Sequence, residues 1–128
     1  MTMLYDTAAL RAERLRGDPA FRTYWERTAL ARAVAIRLVQ YRVEQHLTQT
    51  ELARWLEMRQ PVIARLEAGE HNPSMETLLR LSNVLGMEFL IHVAPTNREE
   101  RWPDPATDAA TVREQVQAGK SAVVATAR

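Results

Sequence analysis

A chain of 128 residues that is 46% hydrophobic can fill one domain with a genuine core plus tails, and it is too short for two full-sized domains. The absence of cysteine excludes a disulfide framework, a thiolate metal site and a cysteine nucleophile, and fits an intracellular protein. A formal net charge of +1 excludes bulk attraction to nucleic acid, so any DNA affinity must come from where individual charges sit.

In chain order, the N-terminus MTMLYDTAAL lacks a basic region followed by an apolar stretch. No apolar run approaches the roughly 18 residues that cross a bilayer, so the expectation is a soluble cytoplasmic protein without membrane contact. Thr7 to Arg16 reads as a short helix stopped by Gly17. Asp18 and Pro19 then form a second start signal, N-cap and first helical position. No glycine or proline follows until Pro61, and the pattern predicts one long helix from Ala20 to about Gln45. Its apolar stripe runs through Phe21, Tyr24, Trp25, Leu30, Val34, Leu38 and Tyr41, widened by Val39 and Val43. Phe21, Tyr24 and Trp25 either pack back on their own domain or present a stripe suited to a groove on another protein.

The stretch TQTELARWLEMRQPVIARLEA, Thr48 to Ala68, predicts a helix-turn-helix able to read DNA. Thr48 and Glu51 have capping-box spacing, and Leu47 can close over Leu52 as a staple. The first helix is expected to run to about Leu56, with Glu57, Met58 and Arg59 as the break. Pro61 opens a second helix that stops at Gly69. GEHNP supplies a turn, and Ser74 starts a further helix through Leu85 with Leu78, Leu81, Val84 and Leu85 inward, closed by Gly86. In MEFLIHVAP the period changes, with Phe89, Ile91 and Val93 alternating with Glu88, Leu90 and His92 as in a half-buried strand. A lone strand leaves its amides unpaired, so it pairs either with its copy in a dimer or with a tail segment of its own chain. From Pro95 the run RWPDPATD reads as a linker, Thr111 to Ala118 as a weak helix ended by Gly119, and SAVVATAR as a short strand or nothing ordered.

These residues closely resemble the helix-turn-helix domain of the Cro and lambda-repressor class, the XRE family, from about Ala31 to Leu85. The resemblance rests on Gln49, Ala53, Ile63, Leu66, Glu67, Gly69, Asn72 and Pro73. It implies an all-α fold: a lambda-repressor-like helix-turn-helix domain with a long N-terminal helix and one C-terminal β-strand pairing across a dimer. Residues 1–28 form a helical extension, 29–94 the DNA-binding domain with its strand, and 95–128 a linker and weakly structured tail.

By position, the resemblance implies that Gln49 anchors a phosphate while Arg59, Gln60, Val62 and Arg65 sit on or before the groove-facing side of the recognition helix. Arginine can bind guanine and glutamine adenine in a bidentate way, each worth about 1–3 kcal/mol of discrimination, and Val62 can touch a thymine methyl. Arg65 has the plainer alternative of a solvated helix charge. Gln60, pushed from the helical region by Pro61, has that of a cap. Arg42 and Glu67 match a partly buried structural salt bridge of the family. Glu57 and His46 stand where small residues or glycine are usual, which strains a left-handed backbone position.

The wider arrangement is similar to HigA-type antitoxins, with a DPAFRTYWE-like string before the domain and a strand resembling FLIHVAP after it. That similarity implies a homodimeric repressor of a palindromic operator in its own operon, and an antitoxin against a RelE/HigB-type ribonuclease. Phe21, Tyr24 and Trp25 are then the toxin-contact candidates, with the tail from Pro95 as the other possible contact. The alternatives are a plain XRE-family regulator from a phage or mobile element, and an interaction adaptor that no longer reads DNA. His46, His71 and His92 form no constellation that suggests catalysis, and neither a metal nor a cofactor is expected.

Overall fold

The computed structural model describes residues 7–95, 111–118 and 121–128. Among them are six helices, α1 (Thr7–Gly17), α2 (Pro19–Arg27), α3 (Ala29–Glu44), α4 (Gln49–Trp55), α5 (Gln60–Ala68) and α6 (Met75–Leu85), then three strands, β1 (Phe89–Pro95), β2 (Val112–Ala118) and β3 (Ser121–Ala127). Helix α3 is the axis of the fold because both of its sides are buried. Val34 and Leu38 join Leu52, Ala53, Leu56, Ile63, Leu78, Leu81 and Met87 in the main core. On another side Ala33 meets Val112, Ala125 and Ala127 of the sheet, with Leu30 and Phe89 packed alongside. Small side chains let a sheet and helices approach one helix from two directions. Gly69 depends on the same closeness. Its φ is +67°, and a Cβ there would stand 3.3 Å from the Ala35 Cβ.

The expected caps close the helices. Phe21 N–H donates to Asp18 Oδ1 at 3.0 Å, Glu51 N–H to Thr48 Oγ1 at 3.1 Å, and Thr77 N–H to Ser74 Oγ at 3.1 Å. Glu51 returns the Thr48 bond, its Oε1 accepting from Thr48 N–H at 3.2 Å, which completes the capping box. The single long helix expected over 20–45 is instead divided at Thr28, where φ is −107° and ψ is 22°. Side chains from elsewhere stabilise that break. Thr28 Oγ1 donates to Tyr24 O at 2.9 Å, Arg32 donates to Trp25 O at 2.8 Å, and Asn72 Nδ2 donates to Arg27 O at 2.7 Å. Asn72 Oδ1 also accepts from Ala31 N–H at 3.1 Å, so one amide serves the end of α2 and the start of α3. Val84, expected inward, is exposed, whereas Leu78 and Leu81 are buried.

The strand after α6 forms, and its partner is the tail of its own chain. The sheet order is β1-β3-β2, all antiparallel, with Ile91 opposite Ala125 and Glu114 opposite the same Ala125 from the other side. The cross-dimer pairing expected for this strand is therefore corrected at the edge that β3 occupies. Residues 112–118, read as a weak helix, are a strand because pairing with apolar β3 outweighs the helix preference of Glu and Gln. The linker reading for RWPDPATD lies outside the described residues.

Both suspected backbone positions are left-handed, His46 with φ 55° and Glu57 with φ 54°. An L side chain is disfavoured there by roughly 1 kcal/mol relative to glycine. His46→Gly and Glu57→Gly are each expected to raise the thermal midpoint by about 4 °C, measured by circular dichroism melting. No rise in either variant would show that the turns are not strained.

Candidate nucleic-acid interface

Helices α4 and α5 form a unit because their inner faces are apolar and the connection between them is short. Leu52, Ala53, Leu56 and Ile63 are fully buried beneath them. Arg80 points its guanidinium at Leu56 O (3.4 Å) and Glu57 O (3.5 Å), carbonyls left without helical partners at the end of α4. Helix α5 begins one residue earlier than its proline suggests. Arg59 takes the N-cap position in extended conformation without a side-chain cap bond, and Pro61 lies in the first turn. Gln60 is thus the first residue of α5 and not its cap, which corrects the alternative weighed for it.

A continuous polar chain lies along one side of the pair. Arg42 Nε is 2.5 Å from Glu67 Oε1, and Arg42 also donates to Leu47 O at 3.1 Å. The other Glu67 oxygen accepts from Gln49 Nε2, and Gln49 Oε1 accepts from Gln60 Nε2 at 2.9 Å. The Glu67 side chain is only 6% exposed and that of Arg42 23%. Four of the residues singled out in the sequence therefore form one network that fixes the start of α4, the start of α5 and the end of α3 relative to one another. Both ends of the Gln49 amide are engaged within the protein.

Arg59 and Arg65 are exposed, and Val62 is half-buried. At 100° per residue, Pro61, Arg65 and Ala68 share the outer face of α5 opposite buried Ile63, with Val62 on its shoulder. Among the described residues Arg65 Nε makes only a long contact of 3.4 Å to Pro61 O, which leaves its guanidinium available to a ligand. This arrangement offers two exposed guanidinium groups and a methyl-rich shoulder on a short helix whose orientation the buried network locks. That is a set of groups able to read base edges and phosphates in a major groove.

Phe21, Tyr24 and Trp25 occupy a separate place, on α2. They are half-buried, with ring centroids of Phe21 6.4 Å from Tyr24 and 6.0 Å from Trp25. Arg14 lies 4.2 Å over Phe21, while Arg32 at 3.5 Å and Arg11 at 5.1 Å lie over Trp25. Arg32 went unnoticed in the sequence. Its Nε is 3.3 Å from Glu114 of β2, and NH1 also donates to Thr28 Oγ1 at 2.9 Å, so one side chain ties α2, α3 and the sheet together. Burial lowers its pKa from the ordinary arginine value, and the attraction of Glu114 opposes that shift in part. Glu114 could not have been found without recognising β2.

Among the described residues no group of three His, Asp or Glu is placed to hold a metal ion, and no helix is long and apolar enough to cross a membrane. The helix-turn-helix family matches residues 38–90 of the chain. Antitoxin HigA1 of Mycobacterium tuberculosis is 32% identical over 95 residues, covering 73% of this chain and 64% of that protein. An uncharacterized HTH-type transcriptional regulator of Haemophilus influenzae is 39% identical over 59 residues, covering 46% of this chain and 60% of that protein. The chain thus spans a little under two thirds of the length of these curated relatives. No solved structure matches it significantly. Two helices at the expected positions, the buried Arg42–Glu67 network and the family match converge, and the chain carries an XRE-type helix-turn-helix domain over residues 38–90 and is similar over 73% of its length to a HigA antitoxin.

Proposed function

We propose that this protein is a DNA-binding repressor that acts as the antitoxin of a toxin–antitoxin pair. As a homodimer it binds a palindromic operator of its own operon, and it neutralises a RelE/HigB-type ribonuclease. The observation that carries this reading is the reach of the similarity to Antitoxin HigA1, 95 residues and so well beyond the helix-turn-helix segment 38–90. A protein that shared only the DNA-reading unit would be similar only there. In this reading Arg59, Gln60, Val62 and Arg65 face the groove, Gln49 supports the phosphate contact, and Arg42 with Glu67 holds the scaffold. Phe21, Tyr24 and Trp25 contact the toxin, and a cytoplasmic location follows from the DNA partner.

A plain XRE-type regulator is the second reading, and one observation favours it. Arginines of the chain itself already cover the faces of Phe21 and Trp25, as they would on a helix that needs no partner. Tyr24, without such a cover among the ring contacts, is the residue that separates the two. Full-length chain co-expressed with the ribonuclease encoded beside it is expected to restore growth and to co-purify with it. Tyr24→Asp should weaken both while leaving the circular dichroism spectrum unchanged. Failure of the full-length chain to protect cells would leave the plain regulator standing.

A further inference from the structure

Helix α2 buries none of its residues, so apolar packing does not fix how it stands on the domain. Polar contacts at its C-terminal end hold it instead. Asn72 takes the Arg27 carbonyl there, and Arg32 takes the turn around Trp25. Arg32 NH1 donates to Trp25 O at 2.8 Å and to Thr28 Oγ1 at 2.9 Å, and the guanidinium carbon stands 3.5 Å from the centre of the Trp25 ring. The Arg32 NH2 group is buried with no hydrogen-bond partner, which leaves the indole face to compensate it. One guanidinium thus grips both the backbone and the ring of Trp25.

That grip has a condition. The Arg32 side chain is only 12% exposed, and a charge so far out of water stays in place only beside a counter-ion. Glu114 supplies it, Oε2 accepting from Arg32 Nε at 3.3 Å. Among the described residues Arg32 is in turn the one hydrogen-bond partner of the Glu114 side chain. Glu114 stands on β2 opposite Ala125, on the sheet face that packs against Ala33 of α3. Its carboxylate therefore reaches Arg32, 82 residues away in the chain, only while the β2–β3 hairpin is docked on α3. We infer that Glu114 and Arg32 are positioning residues, through which the docked hairpin sets the placement of Trp25 and so of the aromatic face of α2. Without Glu114 the unpaired guanidinium turns to water, Trp25 O and Thr28 Oγ1 lose their donor, and the indole loses its cover. In the proposed function that face contacts the ribonuclease, and the inference rests on that reading for its last step alone. The hairpin then acts on the partner through α2, without touching it.

The chain has three tryptophans, so Trp55→Phe with Trp102→Phe leaves Trp25 as the sole indole. In that full-length background, acrylamide quenching of Trp25 fluorescence is expected to rise several-fold on Glu114→Ala. Arg32→Lys keeps the charge but lacks the planar fork that meets the ring and two oxygens together, and should raise quenching as far. Glu114→Gln keeps the shape and an acceptor; it should fall between, and it serves if the alanine variant does not fold. With Glu114→Ala, affinity for the ribonuclease encoded beside the protein should fall several-fold while operator affinity, which depends on α4 and α5, is unchanged. Quenching that stays the same in Glu114→Ala and Arg32→Lys, with circular dichroism intact, overturns the inference. Equal losses of ribonuclease and operator binding would make the pair merely structural and overturn it as well. A wild-type chain that does not bind the ribonuclease overturns the antitoxin reading alone, and the quenching then still decides whether Glu114 positions Trp25.

Discussion

Glu67→Ala is expected to destabilise the fold by about 3 kcal/mol, because the substitution leaves the Arg42 charge in a mostly buried position without its counter-ion. Removing one partner of a buried pair costs about 3–5 kcal/mol, and the residual exposure of Arg42 puts this pair at the lower end. Gln49 Nε2 loses its acceptor in the same substitution, so the starts of α4 and α5 lose their common anchor. Glu67→Gln is the informative control. It keeps one acceptor oxygen, enough for Arg42, and sets an amide NH2 opposite Gln49 Nε2, whose own amide must turn to accept, so it removes the charge and one acceptor while keeping the shape, and should cost about 1.5 kcal/mol. Urea titration reads both values as a fall in midpoint at unchanged slope. A Glu67→Ala variant within about 0.5 kcal/mol of wild type, the range of ordinary surface substitutions, would show that the network orients side chains without stabilising the fold.

The parts of this fold that were legible in the sequence are those set by local rules. Thr48 with Glu51, Ser74, and Asp18 with Pro19 each carry their own hydrogen-bond partner within three residues, and each marks a helix start in the structure. The Arg42–Glu67 pair spans 25 residues and came from the family resemblance, not from local pattern. What stayed hidden depends on distant partners. Thr28 is no helix breaker by type; the break there is held by Asn72, 45 residues from the carbonyl it captures. Strand β2 carries Glu and Gln that favour a helix, and its pairing with β3 decides otherwise. A signal was present in the two-residue link Gly119–Lys120, whose length and leading glycine suit a hairpin. Missing that hairpin hid Glu114, and with it the reason Arg32 is buried over Trp25.

The proposed recognition surface is where local pattern and distant support meet, and it yields the larger functional effect. Arg59 and Arg65 are exposed, and among the described residues the one hydrogen bond of either side chain is the long Arg65 contact to Pro61 O. Replacing both with alanine should therefore leave stability within about 0.5 kcal/mol of wild type. Affinity for the operator should respond quite differently. A bidentate arginine–guanine contact is worth about 1–3 kcal/mol, so the double variant is expected to bind roughly 100-fold more weakly at fixed salt. The salt dependence assigns each role. An arginine that contacts phosphate reduces the slope of log K against log salt by about 1 and weakens all sequences alike; one that reads a base relaxes specificity at a single position. Arg65 lies mid-helix on the outer face of α5 and should show the second behaviour. Arg59, extended at the N-cap, should show the first. Retention of operator affinity within about threefold in the double variant would mean that α5 does not enter a groove, and the domain would then serve protein contacts alone.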